Sequence, residues 1–435
     1  MLAAFLMSSL AGFSQNEQKD YRPQYHYTPP KNWVNDPNGL IYLEGEYHLF
    51  YQYNPFGNKW GHMSWGHAVS KDLKNWETLP VALPEFDNAD GSQTMIFSGC
   101  AVIDSENTSG FFGKGVKNGM VAIFTSHVDK KGQGLAQHQS IAYSTDKGRT
   151  WKHYEKNPVL DLGMKDFRDP NVIWYPERQV WIMTVVKPLE HIAQFYESKD
   201  LKKWTLLSEF GKQGDMTKIW ECPSLTKIQV EGTNESKWVL MISSGHREKN
   251  YLGMQYFVGD FDGKTFTPDP SVQKNKPVWI DYGRDDYAGV TWSDIPARDG
   301  RRLFLGWMSN WDYATLVPTV RATRGNFSGP MTISATAPIS AIFEMPRSIT
   351  GVGTATNGSG LGFGFDVDGG LFGVGRVAHL PGRRGGFLFG GRSVLHSVLE
   401  TLDGAAQIRT HVLELLGAEH HHHDQQNDQP VPNGK

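Results

Sequence analysis

A chain of 435 residues, 39% of them hydrophobic, is long enough to bury one large core or two. Its formal net charge of -3 carries no basic footprint for nucleic acid or an anionic membrane surface. Two cysteines, Cys100 and Cys222, exclude a disulfide framework and predict two buried free thiols.

Residues 1–15, MLAAFLMSSLAGFSQ, run from apolar to small to polar, the profile of a signal peptide and too short to span a bilayer. Residues 16–24 read as a linker, so the mature protein is expected to be secreted or periplasmic, and no later stretch has the length of a membrane helix. From residue 25 to residue 318 the chain shows short alternating strands separated by Gly, Asn, Asp and Pro, with no helical period. The stretch that organises them is Trp33-Val34-Asn35-Asp36-Pro37-Asn38-Gly39. Proline biases the residue before it toward extended geometry, so Asp36 opens a strand.

Two later stretches echo this one: Phe167-Arg168-Asp169-Pro170-Asn171 and Trp220-Glu221-Cys222-Pro223. Around them five copies of one unit can be drawn, each an opening residue, a strand, a turn and a strand. The units open at Asp36, Phe97-Ser98, Asp169, Glu221 and Tyr287. The first four carry a further polar turn followed by an aromatic. Ser70-Lys71-Asp72-Leu73 before Trp76 is nearly copied by Ser198-Lys199-Asp200-Leu201 before Trp204, and more loosely by Ser144-Thr145-Asp146 before Trp151 and by Asp260 to Phe266. Repeats of this kind predict an all-β fold, a five-bladed β-propeller, with a β-sandwich as the competing architecture. In a propeller the first strands line the axis, so Asp36, Asp169 and Glu221 are expected at matched positions around one mouth.

The character of the chain changes near residue 319. All fourteen tryptophans lie at or before Trp311, no tyrosine follows Tyr313, and Gly and Arg become frequent. Residues 319–435 therefore read as an anomalous tail, possible foreign or frameshifted sequence, with the histidine run His420 to His423 a low-complexity feature and not a metal site.

Three acids at one mouth suit glycoside hydrolysis, which needs two carboxyl groups across the scissile bond. One must stay ionised, and hydrogen bonds from Asn35 and backbone amides would favour that. Glu221, between Trp220 and Cys222 and near two other acids, suits a proton donor with a raised pKa. Asp169, beside Arg168, reads as an acid held ionised to stabilise positive charge in the transition state.

These motifs resemble those of glycoside hydrolase family 32, the invertase, inulinase and levanase group, over about Tyr25 to Pro318. WVNDPNG is similar to that family's nucleophile motif, FRDP to its transition-state-stabiliser motif and WECP to its acid/base motif. The resemblance implies Asp36 as nucleophile, Asp169 as stabiliser and Glu221 as acid/base, in a retaining reaction on a five-bladed propeller followed by a β-sandwich. It also implies sugar contacts from Trp33, Asn35, Gln52, Trp60, Phe97, Ser98, Arg168 and Trp311. The segment DYGRDDYAGVTWSD looks closer to secreted fructan-degrading enzymes than to sucrose-specific ones, with Asp286 where Asn is usual. The implied substrates are fructans (levan, inulin) and sucrose, cleaved from the chain end, with no cofactor or metal required. The tail departs from the family pattern, so the outer strands of the fifth unit and the sandwich are expected to be lost. An arabinan- or xylan-type propeller glycosidase and a non-catalytic fructan-binding protein are the competing functions.

Overall fold

The computed structural model describes residues 26–230, 233–246, 251–274, 276–299, 301–315, 331–336, 364–365 and 371–372. The expected signal peptide, linker and histidine run, and most of the expected tail, lie outside them. The described residues are all-β, with two single 3-10 turns and no α-helix, so none holds a helix long and apolar enough to cross a membrane.

Five antiparallel sheets follow one another along the chain. The first holds β1 (Trp33–Leu43), β2 (Glu46–Asn54), β3 (Ser64–Ser70) and β4 (Trp76–Leu83). The second holds β5 (Phe86–Asp87), β6 (Gln93–Asp104), β7 (Gly119–Lys130), β8 (Gln133–Ser144) and β9 (Lys152–His153). The third is β10 (Arg168–Tyr175), β11 (Val180–Lys187), β12 (Ile192–Ser198) and β13 (Thr205–Gly211). The fourth is β14 (Glu221–Gln229), β15 (Ser236–His246), β16 (Tyr251–Phe261), β17 (Phe266–Pro268) and β18 (Val278–Trp279). The fifth is β19 (Tyr287–Thr291), β20 (Arg302–Trp307) and β21 (Met331–Thr336). A separate compact unit contains the pair β22 (Gly364–Phe365) and β23 (Leu371–Phe372).

Local chemistry explains the hairpins. Glu44 and Gly45 both have positive φ, 49° and 93°, as the two-residue turn between β1 and β2 requires. The repeated polar turns share one geometry. Asp72 Oδ1 accepts the N–H groups of Lys74 (2.9 Å) and Asn75 (2.8 Å), and Trp76 Nε1 donates to Leu73 O (3.2 Å). Asp200 does the same for Lys202 and Lys203 (both 2.9 Å), and Trp204 donates to Leu201 O (3.2 Å). These Asx-type turns hold the reversal into the outermost strand of the first and third sheets.

The aromatics after those turns pack between neighbouring sheets. Trp151 joins the core shared by the first and second sheets, with Phe50, Trp65 and Phe124. Trp204 joins the core between the second and third, with Phe167 and Trp181, and Phe266 that between the third and fourth, with Trp220 and Phe257. Phe304 and Tyr256 lie between the fourth and fifth, and Trp76 joins Trp292, Val290 and Leu49 between the fifth and the first. Each sheet is thus covered on both faces. This is why β3 and nearly all of β11 are buried throughout, where a one-sided sheet would alternate. Burying each such large side chain is worth about 1.5–3 kcal/mol, so the interfaces between sheets carry the fold.

The first strands adjoin one another in a ring, β1 to β6, β10, β14, β19 and back to β1. Ile41 bridges Ser293 in parallel, Tyr42 N–H donates to Ser293 O (3.0 Å), and Trp292 Nε1 donates to His48 O (3.1 Å). The arrangement is propeller-like. The expected loss of every outer strand of the fifth unit is corrected here: β21, beyond residue 318, pairs with β20 from Arg302↔Thr336 to Trp307↔Met331.

Candidate active site

Each first strand carries a bulge at the same height, where two of its residues face one residue of the next strand. Asn35-Asp36 lie between the pairs Val34↔Tyr53 and Pro37↔Tyr51, opposite Gln52. Phe97-Ser98 lie opposite Thr125, Asp169-Pro170 opposite Val185, Cys222-Pro223 opposite Ile242, and Ala288-Gly289 opposite Gly306. The sequence reason is visible at two of them, since proline cannot donate to the ladder and is tolerated at bulges. Asp169, Cys222 and Ala288 take positive φ of 64°, 47° and 56°. Bulges re-aim side chains, and here they turn five strand ends toward the axis.

The expectation of matched positions needs refinement. Glu221 stands just before its bulge, Asp169 is the first bulged residue and Asp36 the second. The three acids meet from three successive places on three strands, which staggers their carboxyl groups. Cys222 links them. Its Sγ lies 3.6 Å from Asp36 Oδ2 and 3.7 Å from Asp169 Oδ2, and its N–H donates to Asp169 Oδ2 (3.0 Å).

Asp36 accepts from Ser98 Oγ at Oδ2 (2.6 Å) and from Asn35 Nδ2 at Oδ1 (2.8 Å). Burial raises its pKa, and those two donors pull against that rise. Asn35 is in turn fixed by Trp33, whose Nε1 donates to Asn35 Oδ1 (2.7 Å). Trp33 and Gln52, expected at the sugar, are buried and help to build the floor. Trp33 stacks on Trp311 at 5.7 Å, and Gln52 Nε2 donates to Ile96 O (3.0 Å). Trp60 is 45% exposed and meets Phe97 edge-on at 5.9 Å, while Phe97 stacks on His127 at 4.3 Å.

Arg168 is buried, and its bonds run elsewhere than the sequence suggested. Nε and Nη2 each reach Glu221 Oε1 at 3.1 Å, and Nη1 donates to Asp166 Oδ1 (2.9 Å) and Gln137 Oε1 (3.1 Å). Its distance to Asp169 is 4.0 Å. Asp169 thus keeps Arg168 at ion-pair range, while the hydrogen bonds of the guanidinium go to Glu221, Asp166 and Gln137. Burial raises its pKa, Arg168 opposes the rise, and Glu221 and Asp36 add to it. Burial also works against the charge of Arg168, but Glu221, Asp169 and Asp166 together raise its pKa. Glu221 does not stand among acids and apolar groups alone. Besides Arg168 it accepts from the Tyr287 hydroxyl at Oε2 (2.6 Å), so both its oxygens are engaged.

Tyr287 was not singled out as a site residue, nor were Thr125, whose Oγ1 accepts from Asp169 N–H (2.9 Å), Gln137 or Asp166. A signal for Tyr287 existed: it opens the fifth unit as Glu221 opens the fourth, and the register then places both, with Arg168, just before their bulges. A cavity of about 640 Å³ opens beside Glu221 and Tyr287, lined also by Leu189, His191, Lys218 and Trp311. Another, of about 410 Å³, lies further along the same first strands and is lined by Gly39, Gly99, Asn171, Thr226 and Val290, beyond the reach of the acids. Both cysteines are buried free thiols, and the described residues hold no His, Cys, Asp or Glu group suited to a metal.

Comparison with known proteins agrees with this geometry. Residues 26–339 match the family model for the glycosyl hydrolases family 32 N-terminal domain. A levanase of Bacillus subtilis (strain 168) is 53% identical over 323 residues, covering 73% of this chain and 46% of the levanase. The extracellular exo-inulinase inuE of Aspergillus niger is 42% identical over 343 residues, covering 73% of this chain and 63% of that protein. The crystal structure of exo-inulinase from Aspergillus awamori is similar at 40% identity and a TM-score of 0.66, covering 73% of this chain and 64% of that one. The chain thus spans less than two thirds of the length of these relatives. It belongs to glycoside hydrolase family 32.

Proposed function

We propose that the protein is a retaining glycosidase that removes terminal β-D-fructofuranosyl units from fructans and sucrose, on a five-bladed propeller that occupies residues 25–318 together with β21. The observation that carries the proposal is that Asp36 and Asp169 meet at the Cys222 thiol, while Glu221, next to that cysteine, shares Arg168 with Asp169. The match to a levanase and exo-inulinases supports the substrate class. Export, to the medium or the periplasm, rests on the profile of residues 1–15.

In this reading Asp36 attacks the anomeric carbon. It must be ionised to do so, which the Ser98 and Asn35 donors favour against burial. Glu221 protonates the departing oxygen and then takes a proton from water. Its carboxyl is oriented by Arg168 on one oxygen and Tyr287 on the other. Asp169, held by Cys222 N–H, supplies negative charge to an oxocarbenium-like transition state, and no metal or cofactor is needed. Trp60, Phe97 and Trp311 wall the sugar. Arg168 reaches its hydroxyls, while Trp33, Asn35 and Gln52 hold the floor beneath it.

The test is product analysis with levan, inulin and sucrose. Fructose as the sole early product supports an exo-acting fructosidase with the initial anomeric configuration retained. Release of larger oligosaccharides, an inverted product, or arabinose from arabinan instead would refute it.

A further inference from the structure

The loop before β19 holds three acids in sequence, Asp281, Asp285 and Asp286, and the last of them is built into the wall next to the site. Asp286 takes φ of 85°, a left-handed conformation that costs a residue with a Cβ. Its N–H donates to Trp307 O (3.2 Å). Its carboxyl lies where a side chain at Gly306 would be, since a Cβ there would stand 1.7 Å from Asp286 Oδ1. That oxygen is buried and accepts no hydrogen bond. The carboxyl is instead hydrogen-bonded to that of Asp281. Two carboxyl groups in such contact share one proton, because two negative charges at that range cannot both persist.

The next residue along is Tyr287, the donor to Glu221 Oε2 at 2.6 Å. We propose that Asp286 is a positioning residue that acts through Tyr287: as a neutral carboxyl packed over Gly306 it seats the tyrosine on Glu221, and its ionisation unseats it. The proposal rests on the reading of Glu221 as the acid/base. The groups facing Asp286 agree with it. Asp281 and Asp285 of its own loop are like charges. Arg284 offsets burial at Asp285 and lies 3.9 Å from Asp312. From β20 it meets the Cα of Gly306, with no titratable side chain there, and Glu221 lies beyond the Tyr287 ring. Burial and the two like charges raise the pKa of Asp286 well above the ordinary carboxylate range. Burial and the like charges favour the uncharged carboxyl, so the wall is expected to loosen as pH rises.

The experiment compares the wild-type chain with Asp286→Asn, which keeps shape and removes the ionisation. Two readouts are taken across pH 4 to 9: kcat/KM for fructose release and the melting temperature. The proposal expects the ratio of variant to wild-type kcat/KM to rise on the alkaline side, by up to about tenfold per pH unit past the transition. In a Tyr287→Phe background the same substitution should leave the profile unmoved, which a merely structural role would not produce. The melting temperature has its own sign. A folded pKa above the unfolded one gives stability that is complete below the unfolded value and is lost as pH rises through the folded one. Wild type should therefore lose melting temperature relative to the variant as pH rises. Superimposable kcat/KM profiles overturn the proposal, and so does a melting difference constant with pH. If Asp286→Asn does not fold, Asp281→Asn serves: it removes the like charge and keeps a partner, and the alkaline transition must then move. Should no fructose be released by any of these proteins, the glycosidase reading fails while the melting series still reports the ionisation.

Discussion

Ser98 is the sharpest place to test how the site keeps Asp36 ready. Its Oγ donates to Asp36 Oδ2 at 2.6 Å, and it is the leading counterweight to the burial that raises the pKa of Asp36. Ser98→Ala removes that donor and adds nothing. A hydrogen bond to a charged group is worth about 1.5–3 kcal/mol, or about one to two pH units at 1.36 kcal/mol per unit. An attacking carboxyl must be ionised, so the acid limb of the kcat/KM profile should move up by about that amount. Below the limb the variant loses about 10- to 100-fold, and above it the loss is smaller. The assay is fructose release from a soluble fructan oligosaccharide at closely spaced pH values. Stability gives a second sign. The folded pKa of Asp36 lies above its unfolded value, so its contribution is present at low pH and is lost as pH rises. The melting gap between wild type and Ser98→Ala should therefore widen with pH. An acid limb that stays in place, within about 0.3 pH unit, would refute the reasoning.

Tyr287→Phe loses the bond to Glu221 Oε2 and should lower kcat by about 10- to 100-fold with little change in KM; steady-state kinetics showing an unaltered kcat would exclude the orienting role. His48 and His67 form a buried pair, Nδ1 to Nε2 at 3.1 Å, and burial lowers the pKa of His48 to about 4. A depressed folded pKa gives stability that is complete above the ordinary value of 6.5 and is lost as pH falls to about 4, about 3 kcal/mol in all. Thermal melts at pH 7 and pH 4 should show a smaller acid drop for His48→Gln than for wild type. In Gly99→Ala the new Cβ would stand 2.1 Å from Ile123 O, forcing β6 from β7 at a cost of about 1–3 kcal/mol or more. Its melting temperature should fall, and an unchanged one would show that the strands give way freely.

The chemistry-bearing part of the fold was legible because proline and glycine mark it. Asp36-Pro37, Asp169-Pro170 and Cys222-Pro223 announced the strand openings, and the bulges stand there. The Ser-Lys-Asp-Leu turns were legible because one Asp side chain must cap two N–H groups, which leaves a fixed spacing. What could not be read was pairing across the chain. The bridge of Ile41 to Ser293 joins residues at opposite ends of the repeat series, and no local pattern encodes it. β21 lies past the shift in composition that ended the sequence reading, yet its backbone alone is enough to pair with β20. The other partners of Arg168 escaped the sequence reading for a related reason. Asp169 stands at 4.0 Å, and Glu221 of the next first strand, which no local pattern pairs with Arg168, is closer at 3.1 Å. Tyr287 escaped notice because a tyrosine before Ala-Gly looks like core, and only its 2.6 Å bond shows otherwise.

The central claim is that Asp36 makes and breaks the bond to fructose at the mouth of the ring of strands. The most direct measurement is fructose release from levan, inulin and sucrose by wild type and by Asp36→Ala, each shown to be folded by circular dichroism and melting. The account predicts release by wild type and a loss of about 1,000-fold or more in the variant, with its melting temperature kept or raised because a buried carboxyl is gone. Folded wild type that releases no fructose, or an Asp36→Ala variant as active as wild type, would contradict it.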